Sequence, residues 1–267
     1  LNITGKQPIR LIAKIEKPEA VKRMEEIVQV VDGIMVARGD LGLEIPAEEV
    51  PLVQKKLIDT AMEAGKPVIV ATQMLDSMQH NPRPTRAEVS DVSNAGIDHT
   101  DAVMLSNETA AGEYPVETVA TMARIIAETE KSHYDDLPFR EPKTKIHKID
   151  DTISGLSRVI AEKVDAQLIL AASLSGETGR LISRYRPEFP IVVATSTDRV
   201  QRQLNLSWGV RPFILMPCTS IEELVDRAVV HLKKAGMVKV ADKIIVVAGE
   251  PVGHSGHVNM LEVREVK

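Results

Sequence analysis

Residues 33–42 read Gly33-Ile34-Met35-Val36-Ala37-Arg38-Gly39-Asp40-Leu41-Gly42, a short apolar run that passes straight into a charged, glycine-punctuated turn. Upstream, Leu11-Ile12-Ala13-Lys14-Ile15-Glu16 has the same design. A buried strand delivering polar residues at its C-terminal end is the repeating element of parallel α/β folds. Working outward, apolar runs at 9–15, 33–37, 67–72 and 102–106 alternate with amphipathic stretches at 18–30, 48–64 and 87–97. Lys14, Arg38, Thr72 and Ser106 stand at the strand ends, separated by 24, 34 and 34 residues. That spacing predicts successive βα units with right-handed crossovers. A closed barrel needs eight units, so four units predict half of a TIM-type (β/α)8 barrel.

A helical pattern at 115–131 closes this region, and residues 135–145, with two prolines and many charges, read as a linker. A second region opens with a helix at 151–164. Strands follow at Leu168–Ala172, Ile191–Thr195, 211–215 and Lys243–Ala248, with helices between, and a last run at 258–263 adds an edge strand. The expected organisation is a half barrel over 1–138 and a three-layer α/β C-terminal domain over 139–267.

Composition narrows the function class. Apolar residues make up 43% and charged residues 27% of the 267, which predicts a packed core rather than disorder. A net charge of -5 with both signs interspersed argues against nucleic acid or a membrane surface as the main partner. One cysteine, Cys218, excludes an internal disulfide framework and suits a reducing cytoplasm. The chain opens on Leu1 and enters a strand almost at once, so the sequence is expected to be the later part of a longer polypeptide.

Glu16 and Asp40 end neighbouring strands and point into one mouth; oxygen-only ligands of this kind favour a hard divalent cation. The plainer reading is that they cap helices or pair with Lys14 and Arg38. Lys14 lies two residues before Glu16, hence on the same side of the strand, where it neutralises an anionic substrate or forms a structural ion pair. The turn 38–42 offers backbone N–H groups to a carboxylate or phosphate. Thr72 bonds a substrate oxygen, relays a proton or caps a helix, and Ser106, Glu108 and Thr109 pose the same choice. The loop at 81–88, with Pro82 and Pro84 fixing φ, serves a site, an interface or packing alone. In the second region, Ser173-Leu174-Ser175-Gly176-Glu177-Thr178-Gly179 links a strand to a helix and reads as a phosphate nest or an ordinary capped loop. The seven histidines show no metal-ligand spacing.

Together, Ile12-Ala13-Lys14-Ile15-Glu16, the run 32–42, the run 65–74 ending Ala71-Thr72-Gln73-Met74, the loop 82–88 and the segment 101–110 closely resemble the pyruvate kinase family, in order and at family spacing. The resemblance implies transfer of phosphate from phosphoenolpyruvate to ADP, followed by protonation of the enolate to pyruvate, a step of glycolysis. It implies that Glu16 and Asp40 hold Mg²⁺ (or Mn²⁺) and that Lys14 stabilises the transferring phosphoryl group and the enolate. It assigns the substrate carboxylate to the turn Ala37, Arg38, Gly39 and Asp40, the proton path to Thr72, and a hydroxyl beside that path to Ser106. Ser173, Ser175, Gly176 and Thr178 fall on the family's effector phosphate loop, and 253–257 on a second effector loop. The family is cytoplasmic, often allosteric, and assembles as homotetramers. Its first four barrel strands, lid domain, phosphate-binding arginine, K⁺ ligands and half of its ADP pocket have no counterpart in these residues. Asn107 stands where the family usually has glycine. Two other readings suit these residues: a Mg²⁺-dependent pyruvate or oxaloacetate aldolase, and a non-catalytic effector-binding module.

Overall fold

The computed structural model describes residues 9–139, 148–249 and 258–267. The chain divides into two compact units, Leu1–Asp136 and Leu137–Lys267.

In the first unit, β1 (Ile12–Ile15), β2 (Gly33–Ala37), β3 (Val68–Ala71) and β4 (Ala102–Met104) form one parallel sheet in chain order. Between them run α1 (Pro18–Lys22), α2 (Met24–Val30), α3 (Arg38–Glu44), α4 (Val50–Glu63) and α5 (Arg86–Ile97), with α6 (Asn107–Ala110) and α7 (Pro115–Thr129) after β4. Ile34, Val36, Val68 and Val70 are fully buried and share a core with Met24 and Val28 of α2, Leu57, Ile58 and Ala61 of α4, and Val92 and Ala95 of α5. β-branched residues in short runs make the strands, and the apolar stripes of the helices cover them. Ile15 pairs with Val36, Ala37 with Ala71, and Ala71 with Met104. That register brings all four C-terminal ends to one line, which is what positions the site. β1 and β4 are edge strands, and Leu11 and Ile12 are 43% and 41% exposed on that open side.

Several element bounds differ from expectation, three of them in the first unit for a local reason. β1 starts later than predicted, because the Asp32 carboxylate takes the Leu11 N–H (2.8 Å) in place of a strand partner. The helix expected over 18–30 breaks at Arg23, where φ -111° and ψ 20° interrupt the ladder and the side chain turns back onto Glu26. The stretch expected to be helical from 48 begins as a 3-10 turn over Ala47–Glu49 before α4.

In the second unit, α8 (Ile149–Val164) precedes β5 (Leu168–Ala172), α9 (Glu177–Ser183), β6 (Ile191–Thr195), α10 (Asp198–Leu204), β7 (Val210–Ile214), α11 (Ile221–Lys234), β8 (Lys243–Ala248) and β9 (Met260–Glu265). The sheet order is β7-β6-β5-β8-β9, parallel except for the antiparallel edge strand β9. Alternation sorts each strand between two cores. Leu168, Leu170 and Val246 pack with Leu224, Ala228 and Leu232 of α11; Ile169, Ala171 and Val247 pack with Ala161 of α8, Ile182 of α9 and Leu204 of α10. Helices thus cover both faces, giving the three expected layers.

The entry to α5 is fixed by a capping box. Glu88 accepts hydrogen bonds from the Thr85 N–H (2.7 Å) and Oγ1 (2.8 Å), and from the Ser77 N–H (2.7 Å) and Oγ (2.6 Å). Burial alone would push this carboxyl up, but the four donors outweigh it and hold it below the usual carboxylate range. Glu88→Ala is expected to cost about 1–2 kcal/mol at neutral pH. A depressed folded value contributes stability above the unfolded value and loses it as pH falls through the folded one. Urea midpoints measured between roughly pH 7 and 3 should therefore converge for parent and variant on acidification; a constant gap would refute the assignment.

Candidate active site

The four strand ends bring Lys14, Glu16, Gly39, Asp40, Thr72 and Ser106 to one edge of the first sheet. Lys14 and Glu16 leave the same face of β1, and the Lys14 ammonium lies 2.8 Å from Glu16 Oε2 and 3.8 Å from Asp40 Oδ2. The side chains of Lys14, Glu16 and Asp40 are 54%, 35% and 59% exposed, so the trio is solvated and free to rearrange. Its ion pair with Lys14 holds the Glu16 carboxyl below the usual range, and the same contact raises Lys14. Both groups are therefore charged at neutral pH.

Glu16 Oε2 is a buried atom that receives no hydrogen bond of good geometry, even with the ammonium beside it. An oxygen in that condition, facing a second carboxylate, fits a metal ligand. Among the described residues no cluster of three or more His, Cys, Asp or Glu is assembled for a metal. A cation here would rest on two carboxylates and complete its shell with water and substrate oxygens, the usual way of holding Mg²⁺.

Arg38 begins α3, and the N–H of the next residue, Gly39, donates to Thr72 Oγ1 at 2.7 Å. The Thr72 hydroxyl itself donates to the Ala71 carbonyl at 2.7 Å. A Cβ on Gly39 would come within 3.3 Å of Thr72 Oγ1, so glycine is what lets the two loops meet. Thr72 and Gln73 have φ of 74° and 53°, left-handed for both. Thr72 thus follows β3 as a strained turn residue and caps no helix. The Arg38 guanidinium points elsewhere: Nη1 and Nη2 each lie 2.7 Å from the Asp91 carboxylate, and Nη2 donates to the Thr72 carbonyl at 2.9 Å. Only the backbone of Arg38 faces the turn that the resemblance assigns to the substrate carboxylate.

Ser106 is exposed at the end of β4, and its N–H donates to Glu108 Oε2 at 2.7 Å. The other oxygen of this buried carboxylate accepts the Leu75 N–H at 3.2 Å, tying the β3 and β4 loops together. Asn107 is accommodated as the exposed first residue of α6. In the second unit, Gly176 has φ 80°, Glu177 is exposed, and Thr178 is buried at the start of α9. Glu177 is turned to solvent. The expected second effector loop at 253–257 lies outside the described residues.

Sequence reasoning missed Asp91 and Gln54. Asp91 is 53 residues from Arg38 and lies in an ordinary amphipathic helix, so nothing local marks it. Glu108 stands out in the sequence, but its task of joining two loops does not.

Parallel strands that end in a lysine between two carboxylates, beside an amide capped by a hydroxyl, place this sheet in the α/β-barrel class. Residues 1–119 match the family model described as pyruvate kinase, barrel domain, and residues 151–264 the one described as pyruvate kinase, alpha/beta domain. This chain belongs to the pyruvate kinase family. It is 48% identical over 259 residues to the pyruvate kinase of Geobacillus stearothermophilus, covering 97% of this chain and 44% of that one. It is 45% identical over 268 residues to the pyruvate kinase of Clostridium acetobutylicum, covering 100% and 57%. The crystal structure of a pyruvate kinase from Cryptosporidium parvum superposes with a TM-score of 0.86 at 36% identity, covering 97% of this chain and 52% of that one. The chain spans about half the length of the curated relatives it matches.

Proposed function

We propose that the chain forms part of an enzyme that transfers the phosphoryl group of phosphoenolpyruvate to ADP, giving pyruvate and ATP in glycolysis. The observation that carries this reading is the Lys14 ammonium set between the Glu16 and Asp40 carboxylates at the mouth of the parallel sheet. In the reaction, a terminal oxygen of ADP bonds to phosphorus as the substrate's enol oxygen leaves, and the remaining enolate takes a proton on carbon. Negative charge develops first on the phosphoryl oxygens and then on the enolate oxygen. Phosphoryl transfer asks the protein mainly for positioning and charge stabilisation. Lys14, on a flexible stem, exchanges Glu16 for these oxygens and stabilises both stages. Mg²⁺ (or Mn²⁺) held by Glu16 and Asp40 supplies Lewis-acid neutralisation of the same charge.

The Asp40 amide receives the substrate carboxylate beside the Gly39 N–H, which stays on Thr72 Oγ1, with the Ala37 and Arg38 backbone shaping the turn. Thr72 then turns its hydroxyl from the Ala71 carbonyl toward that carboxylate, and Thr72 and Ser106 order the water that protonates the enolate. K⁺, the lid and the rest of the ADP pocket belong to the first half of the barrel, which also pairs the open edges of β1 and β4. Ser173, Ser175, Gly176 and Thr178 form the phosphate loop for an allosteric effector, in a cytoplasmic homotetramer.

The metal assignment is tested by Mn²⁺ titration of the intact protein containing these residues. Glu16→Gln and Asp40→Asn should each weaken Mn²⁺ binding by at least about 10-fold, since even partners one shell out cost that much. Unchanged affinity in both variants would overturn the assignment.

A further inference from the structure

Thr72 holds a conformation that a β-branched residue avoids, and Gln73 after it is left-handed as well. Such backbone persists only where its surroundings over-determine it. Here the restraint comes from two reciprocal bonds. The Gly39 N–H donates to Thr72 Oγ1, and one residue earlier Arg38 Nη2 reaches back to the Thr72 carbonyl. A guanidinium on a long stem is a poor restraint unless its own orientation is fixed. Asp91 fixes it: both carboxylate oxygens meet the fork at 2.7 Å, a bidentate pair that is the most directional arrangement available to arginine. Gln54 Oε1 (3.4 Å) and Met74 Sδ (2.8 Å) close round the same guanidinium, whose side chain is 14% exposed. Asp91 belongs to α5, outside both loops, and points at the back of the site.

We infer that Asp91 is a positioning residue: by locking the Arg38 guanidinium on the Thr72 carbonyl, it holds Thr72 left-handed and its hydroxyl on the Gly39 N–H, preforming the subsite that takes the substrate carboxylate. This rests on the function proposed above for that turn. Without Asp91 the fork rotates, Thr72 relaxes toward extended backbone, and the Gly39 amide loses its partner.

The test compares Asp91→Ala, Asp91→Asn, Thr72→Ala and the double variant Asp91→Ala/Thr72→Ala in the intact protein, each checked for an unchanged melting temperature. A variant that fails to fold is replaced by Asp91→Asn, whose amide presents a donor to the guanidinium and breaks the bidentate pair without changing size. Loss of Asp91 should raise KM for phosphoenolpyruvate about 10-fold and leave KM for ADP unchanged. In the Thr72→Ala background the same change should add no further factor, because Asp91 acts through Thr72. Amide hydrogen exchange of the peptide spanning residues 38–42 should accelerate in Asp91→Ala as much as in Thr72→Ala. Multiplicative losses in the double variant, or exchange as slow as in the parent, would overturn the inference. A parent without turnover would contradict the proposed function alone, and the exchange comparison would still decide the role of Asp91.

Discussion

Lys14→Met should lower kcat for pyruvate formation by about 10²- to 10³-fold, the usual penalty for deleting one preorganised charge-stabilising group. Methionine keeps much of the length and apolar stem of lysine, so the substitution removes the charge and little else. The ammonium bridges Glu16 and Asp40 from a solvated position, and screened pairs of this kind contribute little to folding. The melting temperature should therefore stay within a few degrees of the parent. Mn²⁺ affinity should hold or tighten, because the two carboxylates lose their competing cation. A variant that keeps at least a third of parental kcat would exclude Lys14 from stabilising the transferring group.

Leu57→Ala should have the largest effect on stability, about 3–5 kcal/mol, the upper part of the range for a buried leucine. Leu57 is fully buried in α4, in the same core as Ile34, Val36, Val68 and Val70. Strands hydrogen-bonded on both sides, as β2 and β3 are, cannot close over a lost isobutyl group, so most of the cavity remains. Thermal unfolding of the first unit should fall by roughly 6–20 °C. Well below that transition, KM for phosphoenolpyruvate should match the parent, since Leu57 contributes nothing to the strand-end residues. A loss under about 1 kcal/mol would mean that α4 is not packed on this sheet.

Much of the architecture was legible because burial writes itself into local composition. The runs at Gly33–Ala37, Leu168–Ala172, Ile191–Thr195 and Lys243–Ala248 are readable end to end: their interiors are almost wholly buried, so each reads as a continuous apolar run. Edge segments were harder. β1 begins late because a side chain, Asp32, takes a backbone donor, and periodicity carries no trace of such a bond. The break at Arg23 was hidden for a similar reason, as arginine is a good helix former and nothing nearby announces a turn.

At the site, the residue types facing one another were readable from strand ends and spacing, since a parallel sheet aligns those ends. What held them in place was not. The left-handed Thr72 contradicts its own propensity, and its restraint comes from Asp91 in a distant helix. Glu108 likewise looks like a helix-start carboxylate, yet its two oxygens join separate loops. Local preference fails where function requires strain, and the compensating contacts are long-range.

The decisive measurement is pyruvate formation from phosphoenolpyruvate in the intact protein containing these residues, with ADP, Mg²⁺ and K⁺ present. Turnover should produce one ATP per pyruvate and stop when ADP or Mg²⁺ is withheld. A folded protein that releases pyruvate only by ADP-independent cleavage of a longer oxo-acid, or releases none, would contradict it.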